Sequence, residues 1–339
     1  MAPLPAPRAI GLDVGATKIA AGIVDNDGNI AERLPAVHCP AGNQEAMLKT
    51  AFGLIETLRS RQCDIAAIGM GVAGLVDWPE GRVRTAPNSA FRDTPIRRLL
   101  QDATGLPTVV DNDANAACWA EYRLGHSASY MAFITVGTGV GGGLILGDQL
   151  FRGRTGIGTE IGHMIVDPHG TEVCGCGTVG CLEPLASGPA LARYGSTAAS
   201  DRPRGSLATL AGGPSQVTGE TVTTAALAGD LDARVQLARL GHWLGIGIAT
   251  LVNLFDVELV VLGGGVASVG DPLLDPVRAS FEQFVTARAH RELPTIEPAR
   301  CGPEAGWIGA ALLALDTHRT RTTDAHQTAG TRPHQGGQT

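Results

Sequence analysis

The sequence has no excess of basic residues, since 26 lysines and arginines stand against 33 aspartates and glutamates and give a formal net charge of −7. A protein that binds nucleic acid needs a basic surface to neutralise phosphates, so we expect no nucleic-acid partner. The seven cysteines are an odd number, which excludes a disulfide framework that pairs all of them. Three of them lie within eight residues, and this clustering favours a reducing compartment and a metal site.

The sequence also shows neither a leader pattern nor a long apolar run. Its first fifteen residues contain three prolines and no charged segment followed by an apolar one, which is not the pattern of a signal peptide. The most apolar stretch, 243–255, includes four glycine or polar residues and is too short to cross a bilayer, so it predicts a buried helix. We therefore expect a cytoplasmic protein without a membrane partner. Its 339 residues, 44% of them hydrophobic, suffice for two domains with their own cores.

The first third of the chain predicts an α/β lobe that begins with an antiparallel meander. Short apolar runs separated by turn residues, among them the Asp27-Gly28 pair, indicate strands, and apolar residues at helical spacing indicate a helix. The predicted elements are strands at 9–14, 19–24 and 30–34, a helix at 43–61, and strands at 65–72 and 108–111. Alternation of this kind is typical of an α/β lobe.

The pattern of strand, glycine-rich turn and strand then occurs a second time. The predicted elements are strands at 132–136 and 144–146, a helix at 233–254 and a strand at 259–262. The recurrence indicates either an internal duplication or two hairpins in one sheet. Residues 196–224 predict a loop or a mobile helical insertion. From residue 317 on the chain has almost nothing to bury, so we expect 317–339 to be disordered.

Three glycine-rich loops, each at the end of a predicted strand, are candidates for binding phosphate. Residues 13–18 combine Gly15, where backbone amides can approach a phosphate, with Thr17 and Lys18, although a glycine hairpin with a capping threonine also explains them. Residues 137–143 contain five glycines, each costing up to about 1 kcal/mol relative to alanine, which a chain tolerates where a ligand comes close. The third loop, 263–267, could face a nucleotide with a helix N-terminus.

Residues 111–115, Asp-Asn-Asp-Ala-Asn, include the best candidate for a general base. A carboxylate at a strand end, just before a helix that begins near Asn115, is well placed to take a proton from a substrate hydroxyl, and Asp113 occupies such a position. The alternative is that Asp113 or Asn112 only caps the following helix.

One histidine and three cysteines follow the order His-x10-Cys-x-Cys-x4-Cys, which suits a tetrahedral zinc site. The proposed ligands are His163, Cys174, Cys176 and Cys181, with His169 as the alternative nitrogen ligand. Four protein ligands leave no open coordination position, so the zinc would be structural and would hold the flanking Glu160 and Glu183 rigidly. Without a metal, the cysteines would form a set of buried thiols.

Together these motifs resemble the ROK sugar kinases (repressor, open reading frame, kinase), a family within the actin/hexokinase-like superfamily, from about residue 10 to residue 315. The pattern is most similar to the bacterial glucokinases of that family. The resemblance implies a two-lobed α/β fold, the actin-like (ribonuclease H-like) ATPase fold, with an interlobe cleft and a structural zinc loop at 163–181. It also implies an N-terminal lobe at 8–114, rejoined by 303–316, and a larger C-terminal lobe at 115–302.

The resemblance also implies a role for each motif. The ATP contacts would be Asp13, Gly15, Ala16, Thr17, Lys18, Thr135, Gly137, Thr138, Gly139, Gly141, Gly264, Gly265 and Val266. The sugar contacts would be Gly74, Asn88, Asn112, Asp113, Glu160, His163 and Glu183. Asp113 would be the catalytic base, and the zinc ligands would be His163, Cys174, Cys176 and Cys181. Mg²⁺ would accompany the ATP.

We therefore expect ATP-dependent phosphorylation of a hexose, with glucose as the first choice and glucose 6-phosphate as the product. N-acetylmannosamine, N-acetylglucosamine, fructose and allose are the alternative acceptors, and a non-catalytic sugar-sensing protein is the alternative to a kinase. The resemblance implies a homodimer or homotetramer.

Some features bear on these alternatives. The family includes repressors with an N-terminal helix-turn-helix domain, and because the first predicted strand begins near Ala9 we expect no such domain. Two residues depart from the family pattern: Thr159 stands where glycine is usual, and Trp307 stands where a small or aliphatic residue is usual. The segment 193–224 is also longer than the pattern.

Overall fold

The structure is a computed structural model that describes residues 6–40, 42–62, 64–86 and 91–329, with side chains described up to residue 320. The chain divides into two compact units. The first comprises the described parts of Met1–Ala120 and Gly306–Thr339, and the second is Glu121–Ala305. Each unit is an α/β unit built on its own five-stranded sheet, as the sequence predicts for a two-lobed fold.

The first unit begins with the predicted antiparallel meander. Its elements are β1 (Arg8–Val14), β2 (Lys18–Asp25), β3 (Ile30–His38), α1 (Gln44–Arg61), β4 (Ile65–Val72), β5 (Leu75–Asp77), β6 (Arg82–Thr85), β7 (Arg92–Thr94), α2 (Ile96–Thr104), β8 (Thr108–Asn112) and α3 (Asp113–Ala120). Strands β1 to β3 pair antiparallel, whereas β4 and β8 are parallel to β1, which gives the strand order β3-β2-β1-β4-β8. Strands β5, β6 and β7 form a separate small sheet.

The second unit contains the longer helices. Its elements are β9 (Tyr130–Val136), β10 (Val140–Leu146), β11 (Gln149–Phe151), α4 (Glu183–Ala186), α5 (Gly188–Asp201), α6 (Ser206–Ala211), α7 (Gly219–Leu227), α8 (Leu231–Phe255), β12 (Leu259–Gly263), α9 (Asp271–Phe284) and β13 (Thr295–Pro298). The chain then rejoins the first unit through α10 (Ala305–Ala329).

The two large sheets have the same topology. In the second sheet the strand order is β11-β10-β9-β12-β13, with three antiparallel strands followed by two parallel ones. This order matches that of the first sheet strand for strand. Because the whole arrangement recurs in two separate sheets, the structure supports an internal duplication and contradicts the alternative of two hairpins in one sheet.

The region 196–224 is helical. Helices α5, α6 and α7 cover most of it, and Leu207, Ala208, Val222 and Ala225 pack into the core of the second unit. The loop interpretation is therefore wrong. Small residues such as alanine let these short helices bury one face at little cost in side-chain entropy.

The C-terminal region also differs from the prediction. Helix α10 continues to Ala329, whereas the sequence predicted disorder from residue 317. Between Gly309 and residue 329 the chain has neither glycine nor proline, so nothing in the local sequence stops the helix. Asp316 also accepts a hydrogen bond from the Trp119 indole at 2.9 Å, which attaches this helix to α3. Residues 330–339 lie outside the described residues.

Helix α8 is long and apolar enough to cross a membrane by length and composition. Its residues Leu237, Leu244, Ile248 and Val252 are buried in the core of the second unit. Burial among the other helices therefore accounts for the apolar composition, as the sequence predicted for 243–255.

A row of glycines lets helix α10 lie directly on the first sheet. Gly22, Gly11 and Gly69 are aligned across β2, β1 and β4. A Cβ atom on Gly22 would lie 2.6 Å from the Trp307 ring, and one on Gly69 would overlap the Ala310 carbonyl oxygen. The backbone of α10 therefore replaces side chains on this face, while Ile10 and Leu12 fill the opposite face.

This packing predicts opposite effects for two glycine-to-alanine substitutions. Gly69→Ala should lower the free energy of unfolding by about 1–3 kcal/mol, because the new methyl group has no space beside α10. Gly53→Ala should raise it by about 0.5–1 kcal/mol, because Gly53 is an exposed position of α1 where a Cβ meets nothing within 4 Å. Urea unfolding of both variants measures the difference, and equal stabilities would contradict the packing.

Candidate functional site

Two aspartates lie side by side in the first unit. In the register of β1 and β4, Asp13 is aligned with Gly71. A Cβ on Gly71 would lie only 3.3 Å from the Asp113 Cα, so glycine lets the first residue of α3 lie directly over the sheet. Gly306 of α10 borders the same place, because a Cβ there would lie 2.6 Å from an Asp13 carboxylate oxygen. Three distant parts of the sequence thus position this carboxylate pair.

Burial makes both carboxylates weaker acids than usual. It raises the pKa of Asp13 from 3.8 to about 7, with a further contribution from the negative charge of Asp113 and an opposing one from Lys18. Burial likewise raises the pKa of Asp113, against the effect of backbone hydrogen bonds. A carboxylate with a raised pKa is a stronger base when ionised, which is the property that proton abstraction from a hydroxyl requires.

Most of the capping of α3 falls to Asn112. Its side-chain oxygen accepts hydrogen bonds from the backbone N–H groups of Ala114 and Asn115, at 2.8 and 3.1 Å. The Asp113 Oδ1 also accepts from Ala114, at 2.9 Å. Because Asn112 satisfies the amides that a helix cap normally serves, capping alone does not account for an aspartate at 113.

The other predicted residues of the first unit are close to this pair in the chain or in space. The Asn112 side chain donates to the Gly74 carbonyl at 3.2 Å, so these two predicted sugar contacts are adjacent. The 13–18 loop is a tight turn in which the Gly15 N–H donates to the Lys18 carbonyl at 3.0 Å. Thr17 and Lys18 are exposed in it. Asn88 lies outside the described residues.

In the second unit the other two glycine loops are adjacent. The turn between β9 and β10 contains Gly137, Thr138 and Gly139, and its Gly137 N–H donates to the Gly139 carbonyl at 2.9 Å. The N–H of Val266 donates to the carbonyl of Val136 at 3.0 Å, which places the 264–266 loop at the end of β9. A short 3-10 turn, Ala267–Val269, follows this loop where the sequence predicted a helix N-terminus.

Glu183 connects the β9–β10 turn to the cysteine cluster. Its Oε2 accepts a hydrogen bond from the Val140 N–H at 3.1 Å, and its Oε1 lies 3.9 Å from the Cys174 sulfur. Gly139 is directly beside it, because a Cβ at 139 would overlap the carboxylate. The carboxylate is therefore held by the glycine turn, which explains why a side chain is excluded at 139.

The four predicted metal ligands come together. The ligand atoms of His163, Cys174, Cys176 and Cys181 all lie within 4.8 Å of one another. Tetrahedral zinc with its usual bond lengths requires about 3.8 Å between two sulfurs and about 3.5 Å between sulfur and nitrogen. The Cys176–Cys181 sulfurs are 3.7 Å apart, and the Cys174 sulfur is 3.4 Å from His163 Nδ1. The donor set and its spacing fit zinc, and His169 is not part of the cluster.

The two ring nitrogens of His163 face different groups. Its Nδ1 faces the cysteines, and its Nε2 lies 3.9 Å from a Glu160 carboxylate oxygen. A metal ion on Nδ1 would fix the tautomer and leave the Nε2 side with Glu160 for a polar ligand. This arrangement brings the predicted residues Glu160, His163 and Glu183 to the same cluster.

The thiols differ in acidity. Hydrogen bonds from Thr178 lower the pKa of Cys176 to about 7, whereas burial raises the pKa of Cys174 and raises that of Cys181 to about 12. A coordinated zinc ion deprotonates its thiols outright, so these values describe the protein groups alone.

Thr159 has the left-handed backbone conformation, with φ of 68°. A β-branched residue is disfavoured there, and glycine is the residue that such a position favours. The hydroxyl of Thr159 bonds to the carbonyl of Gly158 at 2.5 Å. The departure from the family pattern therefore places a strained threonine immediately before Glu160.

In each unit, residues far away in the sequence help to hold the candidate site residues of that unit. Gly306 is 293 residues from Asp13 in the chain, and Arg193 and Tyr194 contact the segment after Glu183. None of them belongs to a local motif. Their roles depend on hydrogen bonds and close approaches that only the fold creates.

Comparison with known proteins identifies relatives over nearly the whole chain. The model of the ROK family matches residues 9–317. A glucokinase of Streptomyces coelicolor is 39% identical over 314 residues, covering 91% of this chain and 97% of that protein. An N-acetylmannosamine kinase of Salmonella typhi is 34% identical over 310 residues, covering 90% and 97%.

A solved structure extends the comparison to the fold. The crystal structure of a ROK family glucokinase from Streptomyces griseus, in complex with glucose and AMPPNP, matches with a TM-score of 0.82 and 39% identity. The match covers 91% of this chain and 99% of that one. These findings confirm the family resemblance and the predicted two-lobed actin-like fold.

The raised pKa of Asp13 predicts a pH-dependent stability in the absence of nucleotide. Because its folded-state pKa is about 7 and its ordinary value is 3.8, the folded wild type should lose stability as the pH rises between these values. Asp13→Asn cannot ionise, so its melting temperature relative to wild type should rise over the same range and level off above pH 7. Melting curves from pH 4 to 8 measure this difference. With the exposed Asp27→Asn as control, a difference independent of pH would contradict the prediction.

The ligand cluster predicts one zinc per chain. Metal analysis of the purified protein should find stoichiometric zinc in the wild type and none in Cys176→Ala, because three remaining ligands hold zinc much more weakly. The matched control is Cys39→Ala, since Cys39 is a buried cysteine of the first unit outside the cluster and its loss should leave the zinc content unchanged. A zinc-free wild type would contradict the metal assignment.

Proposed function

The chain belongs to the ROK family, and on this basis we propose that it transfers the γ-phosphoryl group of ATP to the 6-hydroxyl of glucose. The observation that carries this proposal is the half-buried Asp113, whose carboxylate has a raised pKa beside Asp13 while Asn112 serves as the helix cap. The named relatives support it, because glucokinases share 39% identity with the chain over nearly its full length.

In the proposed reaction, Asp113 accepts the proton of the sugar hydroxyl as its oxygen attacks the γ-phosphorus. The bond to the bridging oxygen of ADP breaks, and ADP leaves with the electron pair. The acceleration comes mainly from positioning, for which effective molarities of about 10⁵ M or more are attainable. The base must be ionised to accept the proton, so activity should be lost as the pH is lowered through the pKa of Asp113. Because that pKa is raised, we expect this loss to begin at a higher pH than it would for an ordinary aspartate.

The remaining roles follow the motifs. The 13–18 turn, the 135–141 turn and the 264–266 loop bind the nucleotide, and Mg²⁺ enters with the ATP as part of the substrate. Glu160, His163 and Glu183 bind sugar hydroxyls in the second unit, and Gly74, Asn88 and Asn112 do so in the first. Zinc would supply structural rigidity at His163, Cys174, Cys176 and Cys181, with no open position for catalysis.

Phosphorylation of N-acetylmannosamine is the second candidate. A kinase named for that sugar is 34% identical over 90% of the chain, and Thr159, which departs from the family pattern, has a strained conformation directly before the proposed sugar contact Glu160. Steady-state rates with both sugars decide between them, because the specificity of an enzyme is the ratio of its kcat/KM values. A kcat/KM that is higher for glucose than for N-acetylmannosamine supports the first candidate, and the reverse order supports the second.

Location and assembly belong to the same proposal. The family resemblance supports a cytoplasmic homodimer or homotetramer, and the free cysteines among the described residues are compatible with a reducing compartment. Light scattering on the purified protein tests the assembly. A mass of one chain at micromolar concentration would contradict it.

The role of Asp113 predicts a selective loss of turnover. Asp113→Asn should lower kcat by about 10²–10⁴ while the dissociation constants of glucose and ATP stay within a few-fold, because the amide keeps the shape but cannot accept the proton. Calorimetric titrations and initial rates measure the two effects. A variant with near-normal turnover would show that Asp113 serves only the helix terminus.

A further inference from the structure

Two backbone carbonyls directly after Glu183 lack their usual helical hydrogen-bond donors. Helix α4, Glu183–Ala186, is only four residues long and is followed after Ser187 by α5. In a continuous helix the Pro184 and Leu185 carbonyls would accept from residues 188 and 189. The Gly188 N–H instead donates to the Gly137 carbonyl at 2.8 Å, and residue 189 is a proline without an N–H group. Neither carbonyl therefore has its normal helical donor.

Two successive side chains of α5 supply the missing donors. The Arg193 guanidinium donates to the Pro184 carbonyl at 2.6 Å. The Tyr194 hydroxyl donates to the Leu185 carbonyl at 2.9 Å, and Tyr194 is 4% exposed. Since a buried carbonyl without a donor is costly, these bonds fix the backbone directly after Glu183.

The fixed segment is attached to the β9–β10 turn at both ends. At the first residue of α4, the Glu183 carboxylate accepts from the Val140 N–H at 3.1 Å. After α4, the N–H of Gly188 donates to Gly137, and a Cβ at 188 would lie 2.9 Å from the same carbonyl oxygen. A shift of the segment would therefore move Glu183 relative to the glycine turn.

Arg193 and Tyr194 are themselves held in place. Arg193 lies 3.4 Å from the carboxylate of Glu172, which belongs to the metal-ligand loop. The Arg239 guanidinium of α8 lies 4.0 Å from the centre of the Tyr194 ring, within cation–π distance. The pair thus connects the metal loop, the Glu183 segment and the core helix α8.

We propose that Arg193 and Tyr194 are positioning residues that set the Glu183 carboxylate for sugar binding by replacing the two missing backbone donors of α4. This role rests on the proposed function, since Glu183 is a sugar contact there. Neither side chain needs to touch substrate. Their loss should weaken sugar binding more than nucleotide binding, because the glycine turn retains its own internal hydrogen bond.

Two variants and two matched controls test the role in the full-length protein. Tyr194→Phe removes only the hydroxyl, and Arg193→Met removes only the guanidinium. The controls make the same changes elsewhere: Tyr122→Phe removes a hydroxyl that donates to Asp148, and Arg234→Met removes a guanidinium that donates to the Ala226 carbonyl. Neither of these hydrogen bonds involves the segment that carries Glu183. The test variants should raise the KM for glucose about 3- to 10-fold with a smaller change in the KM for ATP. The controls should stay within about twofold.

Amide hydrogen exchange gives a readout that needs no activity. Exchange over residues 182–191 should be faster in Tyr194→Phe and Arg193→Met than in wild type and in both controls. If the wild type phosphorylates sugar but all four variants share its KM for glucose, the positioning role is wrong while the kinase function stands. If the wild type phosphorylates no sugar, the proposed function fails, and exchange then decides whether the two side chains hold the segment. Unchanged exchange in both test variants overturns the inference.

Discussion

Both units depend on glycines that let another part of the chain come very close to the backbone. At some of these glycines the neighbour is a helix backbone, and at others it is a carboxylate. In the first unit, Gly69 and Gly71 let α10 and α3 lie on the sheet, so that Asp113 is next to Asp13. In the second unit, Gly139 makes space for the Glu183 carboxylate. Each glycine removes side-chain volume where a functional group must be near the sheet, and any Cβ there would displace that group.

The carboxylates then acquire their properties from the positions that these contacts impose. Asp113 and Asp13 are half-buried side by side; loss of solvent favours the protonated form of both, and the charge of Asp113 adds to this at Asp13. Glu183 is held differently, since a backbone N–H fixes one of its oxygens and the cysteine cluster borders the other. In the proposed reaction, the first carboxylate accepts a proton and the second orients a sugar hydroxyl.

The sequence predicted the parts of this arrangement that are local. The meander, the glycine turns, Asp113 at a helix start and the Cys3His set all have short-range patterns, and the duplication was detectable as a recurring pattern. Contacts between distant residues could not be predicted, such as Gly306 beside Asp13 or Tyr194 bonded to Leu185. The end of α10 was mispredicted because a polar sequence without glycine or proline can extend a helix that is already anchored by its buried first turns.

The proposed reaction is the phosphorylation of glucose at the expense of ATP. The most direct measurement is to incubate the purified protein with Mg²⁺, ATP and equal amounts of glucose and N-acetylmannosamine, and to identify the products by ³¹P NMR and mass spectrometry. The account predicts glucose 6-phosphate as the main product, formed in equal amount with ADP. ADP without a sugar phosphate, or N-acetylmannosamine 6-phosphate as the main product, would contradict it.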